Sequence, residues 1–408
     1  MPFQSSFNID YDSLLLVQKG YEKMSVYITI KQPPKYKQMT LEDLLFGDFY
    51  DSQHKISSNY TNTRTYVVEQ IPEKFLSKIN VDKMIETLKE FNNSTANLRT
   101  CEDRHSLYTT FYIPKHSGGL RKIDAPNAEL MDALRRLKTI FEDDFNVLYH
   151  TSAFAYIKGR CAVDAVKRHQ YNQSKWFAKL DLHNFFGSTT LDYVVNNLSM
   201  IFPFSEIMKR KDGKHELVTA LELGFLDGGL PQGTPLSPTL TNIMMIPVDY
   251  KLSSTFRNLN NQKFINTRYA DDFQISSRYA FNVSDVEKTL CDILSEFNAP
   301  FTINKSKTRY GSSAGRNWNL GVMLNKDNEI TVGHKKKKIF KSMLHNYITD
   351  RSKGVVWSLE DIRTLLGLYA YYRSVEQENI DALIEYVNRK HDTDVIRSLN
   401  CDLLNNHK

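Results

Sequence analysis

Nothing in the 408 residues is apolar for long enough to span a bilayer, and the opening MPFQSSFNIDYDS has no basic segment followed by an apolar one. A cytoplasmic protein with no membrane partner is therefore expected. Cysteine is scarce: Cys101, Cys161, Cys291 and Cys401 stand far apart with no CxxC pair. That argues against a zinc knuckle and a disulfide framework, and leaves four reduced, structural thiols. Neither sign of charge prevails. Lys and Arg number 53 and Asp and Glu 47, a formal +6, so any nucleic-acid binding must come from local basic faces. No internal repeat is apparent. What is present is an ordinary globular composition, 41% hydrophobic and 25% charged, with length enough for two or three subdomains.

Against that background one stretch stands out. In FINTRYADDFQISS, Phe264–Ser277, Ile265, Thr267 and Tyr269 alternate, and Phe273 and Ile275 later resume the two-residue period, which predicts strand, tight turn, strand. Ala270-Asp271-Asp272 is the expected turn. Adjacent carboxylates repel and gain nothing from burial, so aiming one into a cleft calls for a cation. The alternative is a solvated acidic turn, since Asp is common in turns. A matching carboxylate lies upstream in WFAKLDLHNFFGSTT, Trp176–Thr190, where an apolar strand delivers Asp181 at its end and an aromatic pair follows. Acidic ligands from two strand ends that meet in space are what a two-metal phosphoryl-transfer site needs. Between the two lies GGLPQGTPLSPTLTN, Gly228–Asn242, a Gly/Pro-rich turn leading into an apolar stretch of helical character.

In this order and spacing the three pieces closely resemble the palm motifs of reverse transcriptases, and RYADDF with LPQGTPLSPTLTN resembles the bacterial branch that includes group II intron and retron enzymes. The resemblance implies an α+β, right-hand polymerase with fingers, a palm built on an antiparallel sheet, and an α-helical thumb. It implies two Mg²⁺ ions, with Mn²⁺ as a substitute, bound by Asp181 and Asp271, supported by Asp272 and by the Leu182 backbone carbonyl, because hard cations take oxygen ligands. Phe186 becomes a steric gate, its ring leaving neither room nor a partner for a ribose 2′-hydroxyl. One of Phe185 and Phe186 is expected in the core. Gln232 would help position template or nucleotide, and Gly233 would let the backbone approach a base pair closely. Lys307, in PFTINKSKTRYG, would lie near the leaving pyrophosphate, stabilising charge or donating a proton. WNLGVML, Trp318–Leu324, resembles the primer grip, with Gly321 at its turn.

The remaining chain is read around that core. Residues 1–70 are an N-terminal extension that either wraps the polymerase or binds RNA or a partner. Residues 71–175 are the expected fingers, beginning with a helix marked by Val81, Met84, Ile85 and Leu88. LYTTFYIPKHSGGLRKIDA follows as a β-hairpin turning at His116 to Gly119. Its Lys115 and Arg121 would bond the incoming triphosphate, or else are solvated hairpin charges. Leu130 to Phe145 carries a further helical stripe, and in HTSAFAYIKGRCAVDAVKRHQ Lys158 and Arg160 would track a template backbone or sit on a basic surface. Residues 176–325 are the palm, with KRKDGKHE a polar insertion, Leu236–Leu252 helical but interrupted by Pro247, and Asp249 structural rather than catalytic. Residues 326–408 are the thumb. Lys335, Lys336, Lys337 and Lys338 open its first helix, where cations oppose the helix dipole unless a polyanion or solvent compensates. Helices over Ser358–Tyr372 and Gln377–Arg389 follow, leaving no room for an endonuclease, maturase or RNase H extension.

The implied function is RNA-directed DNA synthesis, with an RNA template, deoxynucleotides and a DNA product. Retron enzymes typically carry Asn-Ala-x-x-His and Val-Thr-Gly elements where this chain has AVKRH and NLGVM. A compact enzyme of the defence-associated group, copying a neighbouring non-coding RNA against phage, is therefore the expected lineage, with a retron enzyme making RNA-linked single-stranded DNA as the alternative. An RNA-directed RNA polymerase and a catalytically silent RNA-binding scaffold are the rivals from other classes. The primer, the template's identity, the oligomeric state and any accessory protein are left open.

Overall fold

The structure, a computed structural model, describes residues 26–30, 64–68, 80–115, 118–145, 147–257, 259–313 and 321–405. Most of the N-terminal extension, the His116-Ser117 half of the expected hairpin turn and the first part of the primer-grip-like stretch lie outside them. Ten strands are described. β1 (Val26–Ile30) and β2 (Arg64–Val68) pair antiparallel, as do β3 (Tyr108–Pro114) and β4 (Leu120–Pro126). β5 (Trp176–Asp181), β6 (Ile265–Tyr269), β7 (Asp272–Ser277) and β8 (Arg309–Ser312) form a sheet in the order β6-β7-β5-β8. β9 (Met323–Leu324) and β10 (Ile330–Thr331) make a short antiparallel pair. With the helices between them this is the expected α+β class.

The chain divides into two compact units. The first contains the residues up to Arg160, Lys179–Ile275 and Asn282–Thr308; the second contains Cys161–Ala178, Ser276–Phe281 and Arg309–Lys408. Residues 80–160 of the expected fingers thus share a unit with Asp181, Asp271 and Asp272, while residues 161–175 belong to the other.

Within the first unit the helix Val81–Ser94 starts at Asn80, whose side chain accepts from the Lys83 N–H, and buries Ile85, Leu88 and Phe91 on one face. The helix Ala128–Thr139 is capped by Asn127 and passes into a π turn over Ile140–Asp144. Most of KRKDGKHE is helical: Lys211–Glu222 is a helix whose charged residues face water while Leu217, Ala220 and Leu221 are buried. Leu236–Leu252 does break at Pro247, which sits in the first turn of a second helix, Ile246–Phe256, where its missing N–H costs nothing. The first helix, Leu236–Met244, is buried on nearly every side, whereas the second buries Ile246, Val248, Leu252 and Phe256 and leaves Lys251 and Ser254 exposed.

The second unit has its own core, in which Val166, Phe177, Val322, Leu324, Phe340 and Leu344 are members. The helix His334–Ser352 buries Phe340, Leu344 and Tyr347, while Ile339 is 51% exposed. Leu359–Val375, capped by Ser358, and Gln377–His391 match the expected helices. Val395–Asn405 is a further helix that was not expected; it buries Val395 and Leu399. The four cysteines are free thiols, as expected, but none is buried, so they are not core packing. No helix among the described residues is long and apolar enough to cross a membrane.

Candidate active site

The first unit brings Asp181 and Asp271 together through the backbone. β5 buries Phe177, Ala178, Leu180 and Asp181, leaves Trp176 and Lys179 half-buried, and ends on Asp181, whose carbonyl accepts from the Asn304 N–H at 2.7 Å. His183 N–H donates to Thr302 at 2.8 Å, so residues 302–304 are zipped to the strand end. Leu182 N–H then donates to the Asp271 carbonyl at 3.1 Å. One peptide bond beyond Asp181, the chain is already tied to the tip of the β6–β7 hairpin.

That tip is tighter than expected. β6 ends at Tyr269 and β7 begins at Asp272, so the turn is Ala270-Asp271 and Asp272 belongs to the strand. Ala270 has φ +58°, a left-handed conformation that costs a residue with a Cβ about 1–2 kcal/mol. Arg268 holds it there. Its guanidinium is fully buried, makes two bonds to Asp249 at 2.8 and 2.7 Å, and donates to Asn242 Oδ1 at 3.1 Å and the Ala270 carbonyl at 3.2 Å. Burial raises the Asp249 carboxyl above its ordinary range, against the pull of Arg268. Asn242 also donates to the Ala155 carbonyl at 2.6 Å, tying the 152–155 segment into the same web. Asp249 is structural, as the sequence suggested. Arg268 was missed because the alternation of Ile265, Thr267 and Tyr269 puts it on the opposite face, which reads as exposed, whereas in the structure Asn266, Thr267 and Arg268 are all buried.

The three carboxylates are electrostatically one group. Asp271 is half-buried and pushed up to about 6, first by burial and then by the charges of Asp272 and Asp181. Asp272 is raised by burial, with Lys179 pulling it back. Two ammonium groups meet this negative charge: Lys307 Nζ lies 2.9 Å from each oxygen of Asp181, and Lys179 Nζ lies 2.8 Å from Asp272 Oδ2. Asp272 Oδ1 is buried without a hydrogen-bond partner. Among the described residues no three or more His, Cys, Asp and Glu side chains close into an all-protein cage. Mg²⁺ does not require one, since it is usually held by one or two carboxylates together with waters and substrate phosphates. An all-oxygen donor set with an orphaned oxygen, faced by lysines, fits such an ion.

Around this centre the other expected residues take varied places. Phe185 is core and Phe186 half-exposed, their rings 5.8 Å apart. The Phe186 carbonyl accepts from Leu230 N–H at 3.0 Å, and Gly229 lies so close to Gly187 that a Cβ would come within 2.3 Å of its carbonyl oxygen. Gln232 is half-exposed, and its carbonyl accepts from Asp124 N–H at 2.8 Å. Gly233 packs against β4. Its φ is +117° and an added Cβ would lie 2.8 Å from Ile123 Cγ2 and 3.0 Å from the Asp124 carbonyl oxygen, so the close approach it permits is to β4.

Lys115 and Arg121 are exposed at the end of the β3–β4 hairpin. Tyr156, at φ +59°, has its hydroxyl raised by burial and by Asp271, with Arg121 lowering it. Its ring lies 6.5 Å from that of Tyr269, and it was not singled out in the sequence. Lys158 is exposed. Arg160 is half-buried and donates to the carbonyls of His150 at 2.6 Å and Ala153 at 2.9 Å.

In the second unit only part of the lysine run faces solvent. Lys335 and Lys338 are exposed. Lys336 Nζ donates to the Gly321 carbonyl at 2.6 Å, and Lys337 pairs with buried Glu376 at 2.7 Å. The last two therefore brace the unit.

Residues 113–341, more than half of the chain, match the family model described as reverse transcriptase (RNA-dependent DNA polymerase). The chain belongs to the reverse transcriptase family. Its right-hand polymerase fold and its activity as an RNA-directed DNA polymerase, a nucleotidyltransferase, follow from that membership. Relatives of this reverse transcriptase include the retron Ec83 enzyme of Escherichia coli, 28% identical over 311 residues that cover 72% of this chain and 89% of that one. The retron Ec73 enzyme of the same organism is 26% identical over 274 residues, covering 65% and 82%. Among solved structures, a telomerase from Candida albicans with a fragment of telomeric RNA aligns at TM-score 0.41 and 12% identity. This chain covers 59% of that one, a likeness too slight to support any inference.

Proposed function

We propose that this reverse transcriptase extends a 3′-hydroxyl by two-metal phosphoryl transfer at Asp181 and Asp271, with Asp272 supporting them from β7. The observation that carries this reading is the backbone bond between Leu182 and Asp271, which joins two strand ends bearing carboxylates. Two Mg²⁺ ions there, or Mn²⁺ in their place, would lower the pKa of the attacking hydroxyl and neutralise phosphate charge. Everything else is the work of the chain. Lys307, already on Asp181, is placed to give a proton or positive charge to the leaving pyrophosphate. Lys115 and Arg121 reach for the triphosphate, Gln232 positions nucleotide or template, and Phe186 occupies the space a 2′-hydroxyl would need. Lys158, Lys335, Lys338 and the Gly321 turn are left as template-primer contacts.

The template is an associated non-coding RNA and the setting is antiphage defence, as the resemblance to compact defence enzymes suggests. The retron matches favour a second reading, in which the product is single-stranded DNA linked to RNA. The test is to purify the protein with its RNA, sequence that RNA, and supply labelled deoxynucleotides with Mg²⁺ to wild type and to Asp271→Ala/Asp272→Ala. Incorporation that needs both RNA and carboxylates supports the proposal, and a covalent RNA–DNA product selects the retron reading. Tight RNA binding without incorporation points to a silent scaffold, and a preference for ribonucleotides to an RNA polymerase. Phage protection that survives the double substitution removes the defence role from the polymerase.

A further inference from the structure

We infer that the second unit carries a separate platform for single-stranded RNA, built from residues 171–178, 276–281 and 309–313. These segments contain the cations Lys175, Arg278 and Arg309 and the aromatic residues Tyr171, Trp176, Phe177, Tyr279, Phe281 and Tyr310, with no Asp or Glu among them. None was assigned a role in the polymerase reaction.

The backbone gathers the three segments. Lys175 N–H donates to the Ser277 carbonyl at 2.9 Å, Ser313 N–H to the Lys175 carbonyl at 2.7 Å, and Arg278 Nε to the Asn172 carbonyl at 2.7 Å. The rings are then set in place. Trp176 stacks on Tyr310 with centroids 5.6 Å apart and planes 22° from parallel, and Phe281 meets Tyr310 edge-on at 5.0 Å. Phe281 N–H donates to the Tyr310 hydroxyl at 3.0 Å, fixing that side chain at both ends. Phe177 joins the buried core of the unit, so strand alternation turns Trp176 to the other face. Tyr279 is 72% exposed and Tyr310 40%, and the three cations are exposed as well.

Pre-set aromatic faces interleaved with cations suit a partner with flat rings on a phosphate backbone. Unstacked bases of a single strand offer both; a duplex hides its base faces. The choice of RNA over DNA rests on the reverse transcriptase reading, since RNA is the polymer this enzyme must hold. It is supported by the Tyr310 hydroxyl, which accepts from Phe281 and keeps its proton to donate to a 2′-hydroxyl.

The test uses the full chain and a fluorescein-labelled oligouridine dodecamer, with the matching DNA as control, followed by anisotropy over a salt series. Tyr279→Ala/Tyr310→Ala should weaken RNA binding about tenfold or more, the scale of losing one or two stacked bases. Lys175→Gln/Arg309→Gln should flatten the salt dependence by about one to two in log–log slope. Both should extend a short pre-annealed template-primer as wild type does, whereas Asp271→Asn should stop extension and leave RNA binding intact. Unchanged affinity in both platform variants, or a preference for DNA, overturns the inference. Should the aromatic variant lose its thermal transition, photocrosslinking of 4-thiouridine RNA to wild type decides: crosslinks in the three segments support the platform, and crosslinks confined elsewhere overturn it. A wild type that never extends a primer but binds RNA through the platform would overturn the polymerase reading alone.

Discussion

Removing the Asp249 carboxylate should do two separable kinds of damage. In Asp249→Ala the buried Arg268 guanidinium keeps only the Asn242 side chain and the Ala270 carbonyl, both neutral, in place of two charge-assisted bonds at 2.7 and 2.8 Å. Breaking a buried ion pair by removing one partner costs about 3–5 kcal/mol, because the remaining charge has neither water nor a counter-ion. At about 1.36 kcal/mol per factor of ten, local opening should become more frequent by about two to nearly four orders of magnitude. Hydrogen exchange of the 264–277 peptide, read by mass spectrometry, measures this directly. The companion variant Asp249→Leu/Arg268→Met removes both charges and should regain most of the protection, since apolar replacement of a buried pair is often neutral or better. It should not regain polymerisation. Ala270 then keeps its left-handed conformation without the donor that holds its carbonyl, and Asp271 is the next residue. Wild-type protection in Asp249→Ala, or wild-type extension rates in the double variant, would refute the reasoning.

Four further outcomes are expected. Asp271 is raised from 3.8 to about 6 in the folded protein, so without metal its ionisation opposes folding: Asp271→Asn should be more stable than wild type above pH 6, the gap closing as pH falls towards 4 in thermal melts. A gap that widens on acidification would contradict the burial that raises it. Lys307→Ala should bind Mn²⁺ more tightly by electron paramagnetic resonance yet turn over more slowly, because the ammonium competes for Asp181 and also serves the leaving group; metal affinity that falls with turnover would leave it a purely structural partner. Phe186→Ala should admit ribonucleotides about tenfold or more better relative to deoxynucleotides, the scale set by filling or emptying a small apolar space, and steady-state selectivity checks it. Gly233→Ala should destabilise the protein by about 1–3 kcal/mol through clash with Ile123 and a strained φ, visible in urea unfolding, with little change in KM for nucleotide if β4 contact is its main role.

Local chemistry was readable from residues alone. Period-two alternation around Ala270-Asp271, the strand ending on Asp181, the helix opening at Ser358 and the proline break at Pro247 each depend on neighbours within a few positions, where steric and hydrogen-bond rules act. Motif order then carried the family, which the comparison with known reverse transcriptases bears out. Polar segments were less legible. Lys211–Glu222 needs only a narrow apolar face to be a helix, and its charges hid that face. Long-range partners were not legible at all. Whether Arg160, Lys336 and Lys337 reach for a polyanion or for a carbonyl and a glutamate depends on what the fold brings within 3 Å, and the residue types are the same in either case. Likewise the sequence by itself determined that Asp181 and Asp271 would sit at strand ends. Only the tertiary structure decided that Leu182 would tie them together, that Arg268 would be buried to hold the turn, and that Gly233 would press on β4, because such contacts join residues far apart in sequence, where no local period records them.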